Sequence, residues 1–251
     1  MSVLAHINAL SLGYSDSPLF SGLSFDIQKG MILAVVGANG TGKSTFVKTV
    51  LGLHKPIAGR VDWSNGQLAE IGYLAQLSEF DRRFPIRVRD LVVMGTWKGF
   101  NLFSGLNAAT RDKVDHALEQ AGVLDLAERS LHTLSGGQLQ RALFARVIMQ
   151  DAPLIILDEP FASVDQNTEE HLLRIIDRWK KEHRAVLLVV HDLSAVLDHC
   201  SHALLLGSGA ANFGPVLDVL SHERLVAQGY MSASQASWVF GKSRKEDSAY
   251  G

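Results

Sequence analysis

The stretch Gly37-Ala38-Asn39-Gly40-Thr41-Gly42-Lys43-Ser44 decides how this chain is read. Its spacing is G-x-x-x-x-G-K-[ST], with an apolar run over 31–36 before it and helical spacing over 43–53 after it. A continuous apolar run without alternation suits a strand buried on both faces, as in a mainly parallel sheet. Glycines let the backbone curl until successive N–H groups converge on phosphate oxygens. The helix start behind them adds about half a positive charge. In this pattern Lys43 reaches the β- and γ-phosphates and the Ser44 hydroxyl ligates Mg2+.

Working outward, the 251 residues leave room for one large α/β domain with an inserted lobe. A hydrophobic content of 47% and a charged content of 20% exclude a disordered chain and a coiled coil. The net charge of −2 gives no basic excess, so nucleic acid is not expected as a partner. The lone Cys200 excludes an internal disulfide framework and points to a reducing compartment. No apolar run approaches the ~20 residues of a membrane span. The first 15 residues lack a basic region followed by an apolar core, so no secretory signal is expected. The expectation is a cytosolic protein that meets a membrane only by docking onto another chain.

Residues 3–12 alternate loosely and read as an edge strand, 23–27 as a second strand, 51–59 as a loop and 70–75 as a short strand. From 77 to 150 the apolar residues follow helical spacing, as in Val114, Leu118 and Ala121, or Leu139, Leu143 and Val147. Strands resume at 154–157 and 185–190 with a helix over 168–182 between them, an order that implies a right-handed crossover. A further strand is expected over 203–206, and the polar stretch after Gly241 reads as a frayed tail.

Two more motifs carry chemistry. Leu154-Ile155-Ile156-Leu157-Asp158-Glu159 is a buried strand with two carboxylates at its C-terminal end, where parallel sheets bind ligands. Asp158 is expected to hold Mg2+ and Glu159 to polarise the attacking water, the division of labour of phosphoryl transfer. Leu134-Ser135-Gly136-Gly137-Gln138 offers a second set of backbone N–H groups at a helix start. One loop already wraps the triphosphate, so a second cradle is useful if it closes from the other side, most simply from a second copy.

With these motifs in this order, the chain resembles the ATP-binding cassette (ABC) ATPases over nearly its whole length. The resemblance implies an α/β P-loop NTPase cassette with a mainly parallel core sheet, an N-terminal antiparallel β part and an inserted helical lobe. It implies a single ABC ATPase domain over 1–241, with a RecA-like core at about 1–76 and 151–241, the helical lobe at about 77–150, and a polar tail over 242–251. Further landmarks of the family match one by one. Tyr14 stands where an aromatic stacks on adenine. Gln76, in Tyr73-Leu74-Ala75-Gln76, stands where a glutamine senses Mg2+ and reports to the membrane partner. Ser163-Val164-Asp165 fits the turn after the carboxylate pair, with Val where Ala or Leu is usual, and His191 follows the next strand to contact the γ-phosphate.

Carried over to this chain, the resemblance gives ATP contacts at Tyr14, Gly37, Ala38, Asn39, Gly40, Thr41, Gly42, Lys43, Ser44 and Thr45. From the second copy come Ser135, Gly136, Gly137, Gln138 and Asp165. Catalysis falls to Glu159, His191, Lys43 and Gln76, and Mg2+ to Ser44, Gln76 and Asp158. Two copies would hold two ATP molecules head to tail and open on hydrolysis.

Within the family, the runs Phe84-Pro85-Ile86-Arg87-Val88-Arg89-Asp90-Leu91-Val92-Val93-Met94-Gly95 and Asp158 to Glu169 are similar to the energising subunits of bacterial zinc and manganese uptake systems. That implies integral membrane permease subunits, a homodimer of ATPase subunits, an extracytoplasmic substrate-binding protein in the same system, and a peripheral place on the cytoplasmic face of the inner membrane. The 77–109 segment, with Phe80, Phe84, Trp97, Phe100 and Phe103, suits a groove that receives a short permease helix. Siderophore-iron and cobalamin ATPases share the layout and remain alternatives, as does a soluble ABC ATPase acting as a mechanical switch. His199-Cys200-Ser201-His202 invites a zinc-binding reading, but the spacing is tight for a closed site and no fourth ligand is evident.

Overall fold

The computed structural model describes residues 2–14, 17–68, 70–96, 107–162, 164–190, 193, 198–207 and 209–232, with the side chains of Tyr14 and Glu79 set aside. They belong to two compact units, one from 1–68 and 191–251, the other from 69–190.

In the first unit, β1 (Val3–Tyr14) pairs antiparallel with β2 (Ser17–Gln28) and with β4 (Ala58–Trp63), giving the order β2-β1-β4. The segment expected at an edge is therefore the central strand. Its loose alternation has a physical cause. Ala5 and Ile7 are buried, then Leu10 and Leu12, so the inward phase slips by one residue between them. The register against both neighbours shifts there, and Ala9 sits at φ 45°, as a bulge requires. The Ala9 N–H is not orphaned; it donates to Ser24 Oγ at 2.9 Å. Opposite the bulge, a Cβ on Gly59 would stand 2.3 Å from the Asn8 carbonyl oxygen, so β4 closes on β1 only with glycine there. β4 begins inside the segment expected to be a loop.

The same unit holds β3 (Ile32–Gly37), buried at every residue and parallel to β8 (His202–Gly207), with β9 (Ala210–Pro215) antiparallel to β8. β3 leads through the glycine turn into α1 (Lys43–Val50). The helix stops earlier than its spacing suggests because Gly52 takes φ 73°. Leu53 N–H then donates to the Lys48 carbonyl and Gly52 N–H to the Thr49 carbonyl, which caps the last turn. β9 and two short helices after it, Val216–Val219 and His222–Ala227, were not legible as elements.

In the second unit, β5 (Ile71–Leu74), β6 (Leu154–Asp158) and β7 (Ala185–Val189) run parallel in that order, with Tyr73 opposite Ile156 and Asp158 opposite Val189. α5 (Gln166–Lys181) makes the crossover from β6 to β7 and buries Leu172, Leu173, Ile175, Ile176 and Trp179 along one face. The helical segment contains α2 (Val88–Val93), α3 (Ala108–Gln120) and α4 (Gly136–Gln150). α4 touches α2, α3, α5 and β5 and is apolar over much of its surface, with Leu139, Ala142, Leu143, Phe144 and Val147 buried. Phe144 stacks on Trp179 of α5, centroids 6.0 Å apart. Half-exposed ion pairs from Arg87 and Arg89 to Glu128, and from Arg89 to Asp115, bind the outside of this segment and add little each.

Candidate active site

The phosphate-type loop lies in the first unit. A Cβ on Gly37 would come within 2.5 Å of both the Leu206 carbonyl oxygen and Thr41 Oγ1, so any other residue would push β3 off β8 or unfold the turn. Gly40 and Gly42 take φ 83° and 104°, the left-handed region that glycine enters without penalty. Thr41 folds back, its hydroxyl donating to the Ala38 carbonyl at 2.9 Å. Lys43 is buried, with 7% exposure, and its Nζ donates to the Gly37 and Ala38 carbonyls at 2.6 and 3.1 Å. The ammonium is thus held over the loop instead of extending into solvent. The N-cap of α1 is Gly42, which has no side chain, and no acid stands in the first turn. Nothing in the helix's own sequence offsets its positive end. Asn39, Gly40 and Ser44 are exposed along the rim. The arrangement suits a polyanion.

The remaining described candidates lie in the second unit. β6 ends on Asp158, 9% exposed, and Glu159 follows in the left-handed region at φ 51°. Such a backbone costs a non-glycine residue roughly 1–2 kcal/mol and persists where its surroundings over-determine it. Here Glu159 N–H donates to the Val189 carbonyl at 3.0 Å, and the Glu159 carbonyl accepts from Ala162 N–H at 3.2 Å. The turn aims the carboxylate at Gln76, whose Nε2 donates to Glu159 Oε2 at 2.6 Å across 83 residues of sequence. The Gln76 amide therefore spends its nitrogen on Glu159 and keeps its oxygen end for another partner.

Ser135 is the N-cap of α4 and forms a capping box with Gln138. Ser135 Oγ accepts from Gln138 N–H at 3.2 Å, and Gln138 Oε1 accepts from Ser135 N–H at 3.0 Å. A helix start leaves four N–H groups without intrahelical partners. The box takes two of them, and the Gly136 and Gly137 N–H groups remain at the tip. The helix cap and the second N–H cradle expected from sequence are thus one structure. A Cβ on Gly137 would lie 3.3 Å from Thr168 Oγ1 and 3.6 Å from Asp165 Oδ2, so the start of α5 adjoins the tip. Asp165 caps α5, accepting the Thr168 N–H at 2.9 Å and its hydroxyl at 3.1 Å. The Thr168 N–H holds the Asp165 carboxyl below its ordinary range.

His191 and Ser163 lie outside the described residues, as do Trp97, Phe100, Phe103 and the Tyr14 side chain. In the His199 to His202 segment Cys200 is buried, and His202 stacks on Phe213 with centroids 5.5 Å apart. Burial pushes the His202 imidazole below its ordinary value. Among the described residues no group of three His, Cys, Asp or Glu side chains is placed to hold a metal.

One buried polar residue beside the motifs belongs to none of them. Gln140 is completely buried, and its Nε2 donates to the Pro160 carbonyl at 2.7 Å, while its Oε1 has no partner. An unpaired buried acceptor costs about 1–3 kcal/mol. The available signal was slight: an amide one residue after Leu139 and three before Leu143, both on the apolar spacing of the helix, with the polar Gln138 and Arg141 close by.

Comparison with known proteins agrees with this geometry. The family described as ABC transporter matches residues 20–162. The manganese transport system ATP-binding protein MntB of Bacillus subtilis is 34% identical over 224 residues, 87% of this chain and 89% of that protein. MntA of Synechocystis, of the same description, is 31% identical over 226 residues, 87% of each. The chelated iron transport system membrane protein YfeB of Yersinia pestis is 33% identical over 208 residues, 80% of this chain and 70% of that one. A solved metal-chelate type ABC transporter in an inward-facing conformation superposes with TM-score 0.82 at 31% identity, covering 92% of this chain and 90% of that one.

Proposed function

The chain belongs to the ABC transporter family and is an ATP-hydrolysing transporter subunit, and from that premise we propose that its transporter imports a transition-metal ion, manganese before zinc. The manganese transport ATPases of Bacillus and Synechocystis support the cargo. The observation that carries the hydrolytic chemistry is the Gln76–Glu159 hydrogen bond at the end of β6.

The mechanism follows from what each group offers. Backbone N–H groups of Gly37 to Thr45 and the Lys43 ammonium bind the ATP phosphates. In a head-to-tail pair of chains, the Gly136 and Gly137 N–H groups of one copy meet the γ-phosphate held by the other. Charge-assisted hydrogen bonds of this kind are roughly twice as strong as neutral ones, so ATP closes the pair. Glu159 accepts the proton of the attacking water and His191 orients the γ-phosphate, while Gln76 keeps the Glu159 carboxylate on its aim. Losing the γ-phosphate removes the cross-copy contacts and the pair opens, a two-state switch biased by nucleotide.

Mg2+ is assigned to the Ser44 hydroxyl, the Asp158 carboxylate and the oxygen end of Gln76, each an oxygen donor of the kind Mg2+ takes. When bound, the ion neutralises phosphate charge. Tyr14 is assigned to the adenine ring.

A transporter subunit has membrane permease partners, and no helix among the described residues is long and apolar enough to cross a membrane. We place the permease contact on the 77–109 segment, where Phe84 and Met94 are exposed at 54% and 45%. The chain then sits peripherally on the cytoplasmic face, in a system that includes an extracytoplasmic substrate-binding protein.

The test uses Glu159→Gln, recovered from native membranes with ATP and Mg2+, alongside manganese accumulation by cells carrying it. Co-recovery of a multi-span permease, with loss of high-affinity manganese uptake, is expected. Retained manganese uptake with loss of iron-chelate uptake would overturn the cargo. A soluble partner and no transport defect would overturn import itself.

A further inference from the structure

We propose that Gln140 is a positioning residue that ties the Glu159 turn to α4, so that force on the Ser135–Gln138 tip reaches the carboxylate. The inference rests on the reading of Glu159 as the base that activates water. Its groups all lie in the second unit, and none belongs to the phosphate-binding motif.

Three observations carry it. First, Gln140 lies four residues beyond Gly136 on one unbroken helix, little more than a turn and about 6 Å along it. A helix turn is stiff, so a displacement of the Gly136 and Gly137 N–H groups moves Gln140 with it. Second, Gln140 Nε2 donates at 2.7 Å to the carbonyl of Pro160, the residue after Glu159. Glu159 is held in the left-handed region by its own N–H and carbonyl bonds to Val189 and Ala162. The Pro160 carbonyl is the next group along the same turn, and the helix holds it. Third, the other end of α4 grips the strand that leads to Gln76. Arg146 Nη2 donates to the Tyr73 carbonyl at 3.1 Å, and Gln150 Oε1 accepts the Tyr73 N–H at 3.1 Å. One helix thus holds the backbone behind both members of the Gln76–Glu159 pair.

The unpaired Oε1 of Gln140 argues in the same direction. An apolar side chain of equal size would remove that orphaned acceptor and orphan the Pro160 carbonyl instead, so the amide brings no net gain in paired buried groups. The amide's contribution is the aim of the Pro160 carbonyl.

The test compares Gln140→Met, Gln140→Glu and Glu159→Gln in steady-state ATP hydrolysis by the purified chain. Gln140→Met keeps the volume and removes the donor. It should lower kcat about 10- to 100-fold, the loss that a misplacement near 1 Å brings. KM for ATP should stay within about twofold and Tm within about 3 °C, because one unpaired acceptor replaces another. Gln140→Glu donates to Pro160 only while protonated, and burial raises its carboxyl pKa. Its turnover should therefore fall as pH rises through that value, a limb the parent lacks.

A Gln140→Met variant with kcat within threefold of the parent overturns the proposal. So does a joint loss of Tm, KM and kcat with no new pH limb, which is what mere packing would give. Glu159→Gln separates the premise: if it turns over normally, the base assignment fails. If it is inactive while Gln140→Met is normal, only the positioning role fails.

Discussion

The hydrogen bond from Gln76 to Glu159 can be weighed by a double-mutant cycle. Gln76 Nε2 lies 2.6 Å from Glu159 Oε2, both side chains are half-buried, and the acceptor belongs to a carboxylate. Bonds to charged groups are worth about 1.5–3 kcal/mol net. If that energy holds the carboxylate on its aim during hydrolysis, Gln76→Ala lowers kcat by about 10- to 100-fold, at 1.36 kcal/mol per decade. The left-handed backbone of Glu159 is untouched, since its own bonds run to Val189 and Ala162. The fold should therefore survive. Glu159→Gln alone removes the base and costs about 10²- to 10⁴-fold, while its amide oxygen still accepts from Gln76. In the double variant there is no base left to aim, so Gln76→Ala should change the residual rate by less than threefold. The assay is phosphate release at saturating ATP and saturating Mg2+, which removes any loss of Mg2+ affinity from kcat. Fully multiplicative losses in the double variant would refute the coupling. Gln76 would then act on the nucleotide or metal independently of Glu159.

Other outcomes follow from the same geometry. Lys43→Ala should weaken ATP binding by at least about tenfold in equilibrium titration, because it removes the buried ammonium and the donor to two loop carbonyls. Ser135→Ala breaks half of the capping box and leaves the Gln138 N–H without its cap. That costs about 1 kcal/mol, or roughly 2–4 °C in Tm for a chain of this size, and Ser135→Thr should restore it. Burial holds the His171 and His202 imidazoles below their ordinary value near 6.5. The unfolded chain then binds more protons than the folded one as pH falls, so stability is full above about pH 6.5 and declines below it. Tm should drop between about pH 7.5 and pH 5.5, and His202→Phe, which preserves the stack on Phe213, should flatten the slope. A pH-independent Tm over that range would refute this account.

Much of the cassette was legible because its chemistry is local. Gly37 to Ser44 needs only a strand before it and a helix after it, and Gly40 and Gly42 meet a demand of their own backbone. The Leu154 to Glu159 run and the α5 spacing declare a buried strand and a crossover in the same way. Failures came where a neighbour decides. The 3–12 segment looked like an edge because its alternation breaks at Ala9, and only β4 on the far side makes it central. β4 itself starts at Ala58, in a stretch whose Pro56 and Gly59 read as loop, because the glycine answers a close approach across the sheet.

The sequence by itself determined the kind of chemistry: a glycine turn with Lys43 for phosphate, two carboxylates at a strand end, a capped glycine tip on α4. These are properties of short segments, set by backbone sterics and by charge at fixed spacing. Only the tertiary structure decided which of these groups act on one another. The Gln76–Glu159 bond spans 83 residues and the Gln140–Pro160 bond 20, and both exist because parallel strands and one packed helix carry distant backbones to the same sheet edge. No local pattern encodes a hydrogen bond of that separation, since its partner is chosen by packing, where an unpaired polar group is costly and a well-placed one sets geometry.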